Sequence, residues 1–173
     1  MPEMLEVVDE NDKVIGLEER NVVAKEGLLH RCVYVVLLNP NGEVLLQKRG
    51  ERKRAYPNSW DIVLAEHNNP GESYEQAAHR GLKEELGIEG VELVKVRGPQ
   101  IHSYDNGIYK HPEFAELYKG IYDDQIKVDG AEVSEAVFFL PEKIEEILKK
   151  EKVTGWFAGE WKWMKENFPE LKK

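Results

Sequence analysis

Two adjacent glutamates, Glu84 and Glu85, end the stretch "HNNPGESYEQAAHRGLKEELGI", with Arg80 four residues before the first of them. On a helix, residues four apart share a line along the axis. Arg80 can therefore pair with Glu84, and position 81 lies in line with Glu85, about 100° round from Glu84. Neighbouring carboxylates repel unless a cation or a base joins them, and a hard divalent ion with oxygen ligands satisfies both. A solvated acidic helix end is the other reading of the same residues. Gly81 raises a question of its own, because glycine inside a helix costs about 1 kcal/mol relative to alanine.

The elements that would position these acids can be read from the pattern. Ser73 stands where an N-cap would, Ala78, Leu82 and Leu86 form an apolar stripe, and Gly87 supplies a C-terminal stop. Upstream, "LEVVDENDKVIGLEE" predicts a hairpin about an Asn11-Asp12 turn. "HRCVYVVLLNPNGEVLLQKR" predicts a longer hairpin whose first strand is apolar on both faces. "DIVLA" reads as a third strand, followed after the helix by "VELVKVRGPQIHSY", "FAELYKGIY" and "EAVFFL". "PEKIEEILKK", with Pro141 at its first position, and "TGWFAGEWKWMKENF" read as closing helices within 141–169. Strands flanked by helices predict an α/β fold with a mixed sheet and helices on both faces. Trp156, Trp161 and Trp163 read as helix packing, with a substrate pocket or the face of a homodimer as alternatives.

Bulk properties narrow the function. The 173 residues suit a single domain over 1–173, and 41% hydrophobic with 33% charged residues describes an ordinary globular chain. A net charge of -9 argues against nonspecific nucleic-acid binding and means that an anionic substrate needs a metal ion or a local basic patch. Such a patch exists in "QKRGERKR", where Arg49 and Lys53 are the expected phosphate-holding residues; solvated loop charge is the alternative. The single cysteine, Cys32, excludes an intrachain disulfide. With no signal-like or membrane-spanning apolar run in sight, a cytoplasmic protein is expected.

The segment 66–88 resembles the Nudix box: a glycine, five residues, a glutamate, seven residues, then Arg-Glu-apolar-x-Glu-Glu-x-Gly-apolar. Glu72, Arg80, Leu82, Glu84, Glu85, Gly87 and Ile88 match; the opening glycine is Glu66 and the glutamate after the arginine is Gly81. "GLLHRCVYVVLLNPNGEVLLQKR" and "YPNSWDI" extend the likeness to a Nudix branch that includes isopentenyl-diphosphate isomerases. The resemblance implies an α/β/α sandwich, Mg²⁺ or Mn²⁺ on the box glutamates, and attack of water on a diphosphate linked to another group. Glu85 is then the principal ligand and Glu84 the second, Arg80 orients a glutamate, and Glu72 supports the loop–helix junction or a further metal. A late acid would be the base, with Glu116 ahead of Glu113.

Within that branch His67 and His30 fall on metal-binding positions, and Arg49 and Lys53 on diphosphate-holding ones. The isomerase cysteine is Ala65, however, and a further histidine position is Val23. Proton transfer across a double bond needs an acid and a base, so hydrolysis of a nucleoside diphosphate derivative or similar small molecule is expected before isomerisation. A weakened domain that binds a phosphorylated ligand is the alternative. The paired departures are either two unrelated changes in a decaying site or an exchange, in which Glu66 supplies the carboxylate that position 81 has lost.

Overall fold

Turn residues and apolar alternation set out the elements of the computed structural model, which describes residues 1–62, 64–105 and 110–172. In chain order they are β1 (Met4–Val8), β2 (Val14–Glu19), α1 (Arg20–Glu26), β3 (His30–Leu38), β4 (Val44–Arg49), β5 (Trp60–Asp61), β6 (Leu64–His67), α2 (Tyr74–Leu86), β7 (Leu93–Asp105), β8 (Lys110–Ile121), β9 (Val133–Phe139), α3 (Pro141–Lys150) and α4 (Phe157–Asn167). The result is a mixed α/β fold, as expected. Both predicted hairpins form. The predicted strand "DIVLA" is instead split between β5 and β6, and its Val63 lies outside the described residues. Helix α1 was not anticipated: only Val23 on it is buried, so its seven residues carry almost no apolar periodicity. The last helix starts at Phe157, after Thr154 and Gly155.

Contacts group the chain into two compact units, one of residues 1–35, 65–80 and 94–118, the other of 36–64, 81–93 and 119–173. In the first, β1 pairs antiparallel with β2, Leu5 opposite Glu18 and Val7 opposite Gly16. The Asp9 carboxylate accepts the N–H groups of Asn11 (2.9 Å) and Lys13 (3.0 Å) and so shapes the turn. Arg31 donates to the Asp12 carboxylate (2.7 Å) and to its carbonyl (2.6 Å). Leu5, Val7 and Val23 bury a small core with Leu28 against it. Strand β3 pairs with β1, β6 and β8.

In the second unit β4 lies between β5 and β9: Gln47 faces Asp61, and Leu46 faces Val137. The apolar face of α3 buries Ile144 and Ile147, and that of α4 buries Phe157, Trp161 and Met164. Trp161, 1% exposed, donates its indole N–H to Glu145 at 2.7 Å, so it serves packing as the sequence suggested.

Helix α2 carries the box. Ser73 and Gln76 form a reciprocal cap: the Ser73 hydroxyl accepts the Gln76 N–H (3.2 Å), and the Gln76 carboxamide accepts the Ser73 N–H (2.9 Å). Ala77, Ala78, Leu82 and Leu86 are buried, so the predicted stripe holds. Gly87, at φ 65°, turns the chain out of the helix.

Candidate metal centre

The Arg80 side chain organises the start of the box. It grips Glu72 with two parallel hydrogen bonds of 2.9 Å, Nε to one oxygen and Nη2 to the other. Nη2 also donates to the His67 carbonyl at 2.7 Å, and Nη1 lies 3.5 Å from Glu66. Burial pushes the Glu72 carboxyl up, but the Arg80 hydrogen bond and the Asn69 N–H outweigh it and hold the group below the usual carboxylate range. Arginine's planar fork is what allows one side chain to tie the loop, β6 and two acids together. Glu72 thus sits at the loop–helix junction, and Arg80 orients a glutamate.

Three side chains from distant parts of the chain converge at the end of β6. His30 (β3), His67 (β6) and Glu113 (β8) each offer a ligand atom, and these atoms all lie within 4.8 Å of one another. His30 and Glu113 are 2% and 5% exposed, and the His30 Nε2 is 4.0 Å from a Glu113 oxygen. His30 Nδ1 is 2.9 Å from the Leu28 carbonyl, which can only accept, so Nδ1 carries a proton and Nε2 is the nitrogen left for a metal. The two rings meet edge to face with centroids 5.2 Å apart. The Tyr34 hydroxyl donates a short hydrogen bond to Glu113. His30, Cys32 and Tyr34 alternate along β3 and share a face, while Arg31 lies on the other. That alternation was the available signal for Tyr34.

Two imidazoles and a carboxylate form a donor set for a first-row divalent ion. The residues therefore fit a first-row divalent ion, Mn²⁺ among them, better than Mg²⁺, which takes oxygen ligands. Of the expected ligands, His67 belongs to this set. Glu66 is one residue before it and faces Arg80. Of the two late acids the structure brings Glu113 to the histidines. Glu116, three residues along and on the opposite strand face, accepts hydrogen bonds from Lys95 (3.1 Å) and the Tyr118 hydroxyl (2.6 Å). Glu113 and Glu116 are both buried, which excludes the reading of simple exposed strand charges. Cys32 is 2% exposed; burial first, then the charges of Glu113 and Glu66, push its thiol well up, so it stays protonated and unreactive.

The second unit holds the other sequence candidates. Glu85 is buried at 8% exposure, whereas Glu84 is exposed, as their 100° separation requires. Gly81 is buried, in line with Glu85 on the helix. Arg49 donates from Nε to the Ala55 carbonyl (3.0 Å) and lies 3.8 Å from the fully buried Asp61. Its guanidinium sits 5.9 Å from the centre of the Trp156 ring, whose N–H donates to Asp61 at 2.9 Å. Lys53 pairs with Glu132.

Comparison with known proteins identifies the family. Residues 28–158 match the NUDIX domain family. An isopentenyl-diphosphate Delta-isomerase of Pectobacterium atrosepticum is 34% identical over 156 residues, covering 87% of this chain and 85% of that protein. An uncharacterised Nudix hydrolase of Streptomyces coelicolor is also 34% identical over 156 residues, covering 81% and 75%. A crystal structure of a Deinococcus radiodurans protein shares the fold with a TM-score of 0.74 at 23% identity, over 93% of this chain and 98% of that one. With box residues Glu72, Arg80, Glu84 and Glu85 in place on loop and helix, the chain belongs to the Nudix family.

Proposed function

We propose that this protein is a divalent-metal-dependent hydrolase that cleaves the diphosphate of a nucleoside diphosphate derivative or similar small molecule. The observation that carries the reading is the convergence of His30, His67 and Glu113, in a chain whose box keeps Glu84 and Glu85. A bound metal ion would neutralise phosphate oxygens and lower the pKa of water. His30, His67 and Glu113 would hold a first-row ion such as Mn²⁺. Glu85, with Glu84, would hold Mg²⁺ entering with the substrate phosphates. Arg80 keeps the box loop in place, and Arg49 and Lys53 hold the diphosphate. Glu113 takes the place of Glu116 as the late acid assigned to the chemistry, because it is the one that faces the histidines.

Isomerisation of an isopentenyl-type diphosphate is the second reading, favoured by the histidine pair and by relatives that bear that name. Against it stands Ala65, which has no proton to give, while Cys32 is enclosed. The test is phosphate release from a panel of diphosphates with Mg²⁺ and Mn²⁺, run beside an assay for double-bond migration. Metal-stimulated release with no migration supports hydrolysis. Migration without release overturns it, and ligand-induced thermal shifts without either reaction would identify a binding domain.

A further inference from the structure

An imidazole binds a metal ion through one nitrogen only, and the hydrogen bond on the other nitrogen decides which. For His30 that bond goes to a main-chain carbonyl. For His67 it goes to a side chain 64 residues away: Nδ1 lies 3.3 Å from a Glu3 carboxylate oxygen. Glu3 is itself held in place. Its other oxygen accepts from Arg20 at 2.8 Å, and its carbonyl accepts the Arg20 N–H at 2.9 Å where β2 runs into α1. The arrangement is carboxylate, then imidazole, then ligand cluster, assembled from the two ends of the β1–β2 hairpin and from β6.

We infer that Glu3 is a positioning residue of the metal centre, fixing His67 as the Nδ1–H tautomer so that Nε2 is the donor. This rests on His30, His67 and Glu113 being the metal ligands. A carboxylate in this place does two things. It stops the ring from rotating or changing tautomer, and its negative charge strengthens the imidazole as a donor. The box at 66–88 does not contain this residue.

The experiment reads the metal-free and the metal-bound protein separately. Nitrogen-15 NMR of the histidines, without metal, shows His67 protonated at Nδ1 in the wild type. Glu3→Ala moves it toward the Nε2–H form, and Glu3→Gln, which keeps the size of the side chain, produces a smaller change. Mn²⁺ titration by calorimetry then shows a dissociation constant about 10–100-fold weaker for Glu3→Ala. Unchanged tautomer and unchanged affinity in a folded Glu3→Ala protein would overturn the inference. His67→Ala is the control for the underlying reading: if it leaves Mn²⁺ affinity untouched, the metal-centre assignment fails, whereas the tautomer measurement still reports on Glu3 and His67.

Discussion

Arg80→Ala tests how the box loop is held. The substitution deletes the two 2.9 Å bonds to Glu72, the 2.7 Å bond to the His67 carbonyl and the 3.5 Å contact to Glu66. Arg80 is 21% exposed and Glu72 14%, so the pair lies between a surface salt bridge worth about 0–1 kcal/mol and a buried one costing about 3–5 kcal/mol to break. A loss of about 2–3 kcal/mol follows, or roughly 4–12 °C in melting temperature for a chain of this size. Arg80→Lys keeps the charge but not the fork and should recover less than half of it. The pH dependence has a definite sign. Glu72 has its carboxyl pKa depressed in the folded protein, so the stability it contributes is present above the unfolded value and is lost as pH falls through the folded one. Urea unfolding of both proteins at a series of pH values measures this: the gap between them should be full at pH 7 and shrink progressively below about pH 4.5. A gap under about 0.5 kcal/mol at pH 7, on the scale of an ordinary surface substitution, would refute the reasoning.

Glu85→Gln should abolish metal-stimulated turnover while leaving the unfolding curve nearly unchanged, since the amide keeps size and loses charge; full turnover at saturating Mg²⁺ would remove Glu85 from the reaction. Glu113→Gln should weaken Mn²⁺ binding in calorimetry, and Glu116→Gln should not; equal effects would undo the division of roles between the two faces of β8. Lys53→Ala should raise KM with little change in stability, whereas Arg49→Ala should raise KM and also lower melting temperature, because it abandons buried Asp61 and the Trp156 ring. For the exchange between positions 66 and 81, Glu66→Gly alone should reduce metal affinity and turnover, and adding Gly81→Glu should restore them, a nonadditive cycle. An unaffected Glu66→Gly protein ends that idea.

Local chemistry in the sequence was enough for much of the fold. The reciprocal Ser73 and Gln76 cap, the stripe Ala78, Leu82, Leu86 and the glycine stop at 87 specify α2 from contacts no more than a few residues long. Asp9 and the Asn11-Asp12 turn specify the first hairpin in the same way. Where periodicity was short, as in α1 with only Val23 buried, the sequence carried no usable signal. Arg80, Glu84 and Glu85 of the box were legible because they recur at helical spacing on one element. The candidate metal centre was legible only in part: His67 and His30 could be nominated one by one, but their meeting with Glu113 depends on how β3, β6 and β8 are paired. The choice between Glu113 and Glu116 turned on which face of β8 each occupies, and strand alternation says only that they differ. Which face meets the histidines is fixed by the neighbouring strand. Glu3 is the extreme case. Nothing near position 3 marks it as a partner of position 67, and only hairpin pairing and the Arg20 clamp bring its carboxylate to the imidazole. Helices and turns are determined by short-range hydrogen bonds and can be read along the chain, whereas a ligand set is a coincidence of side chains in space that only the tertiary structure decides.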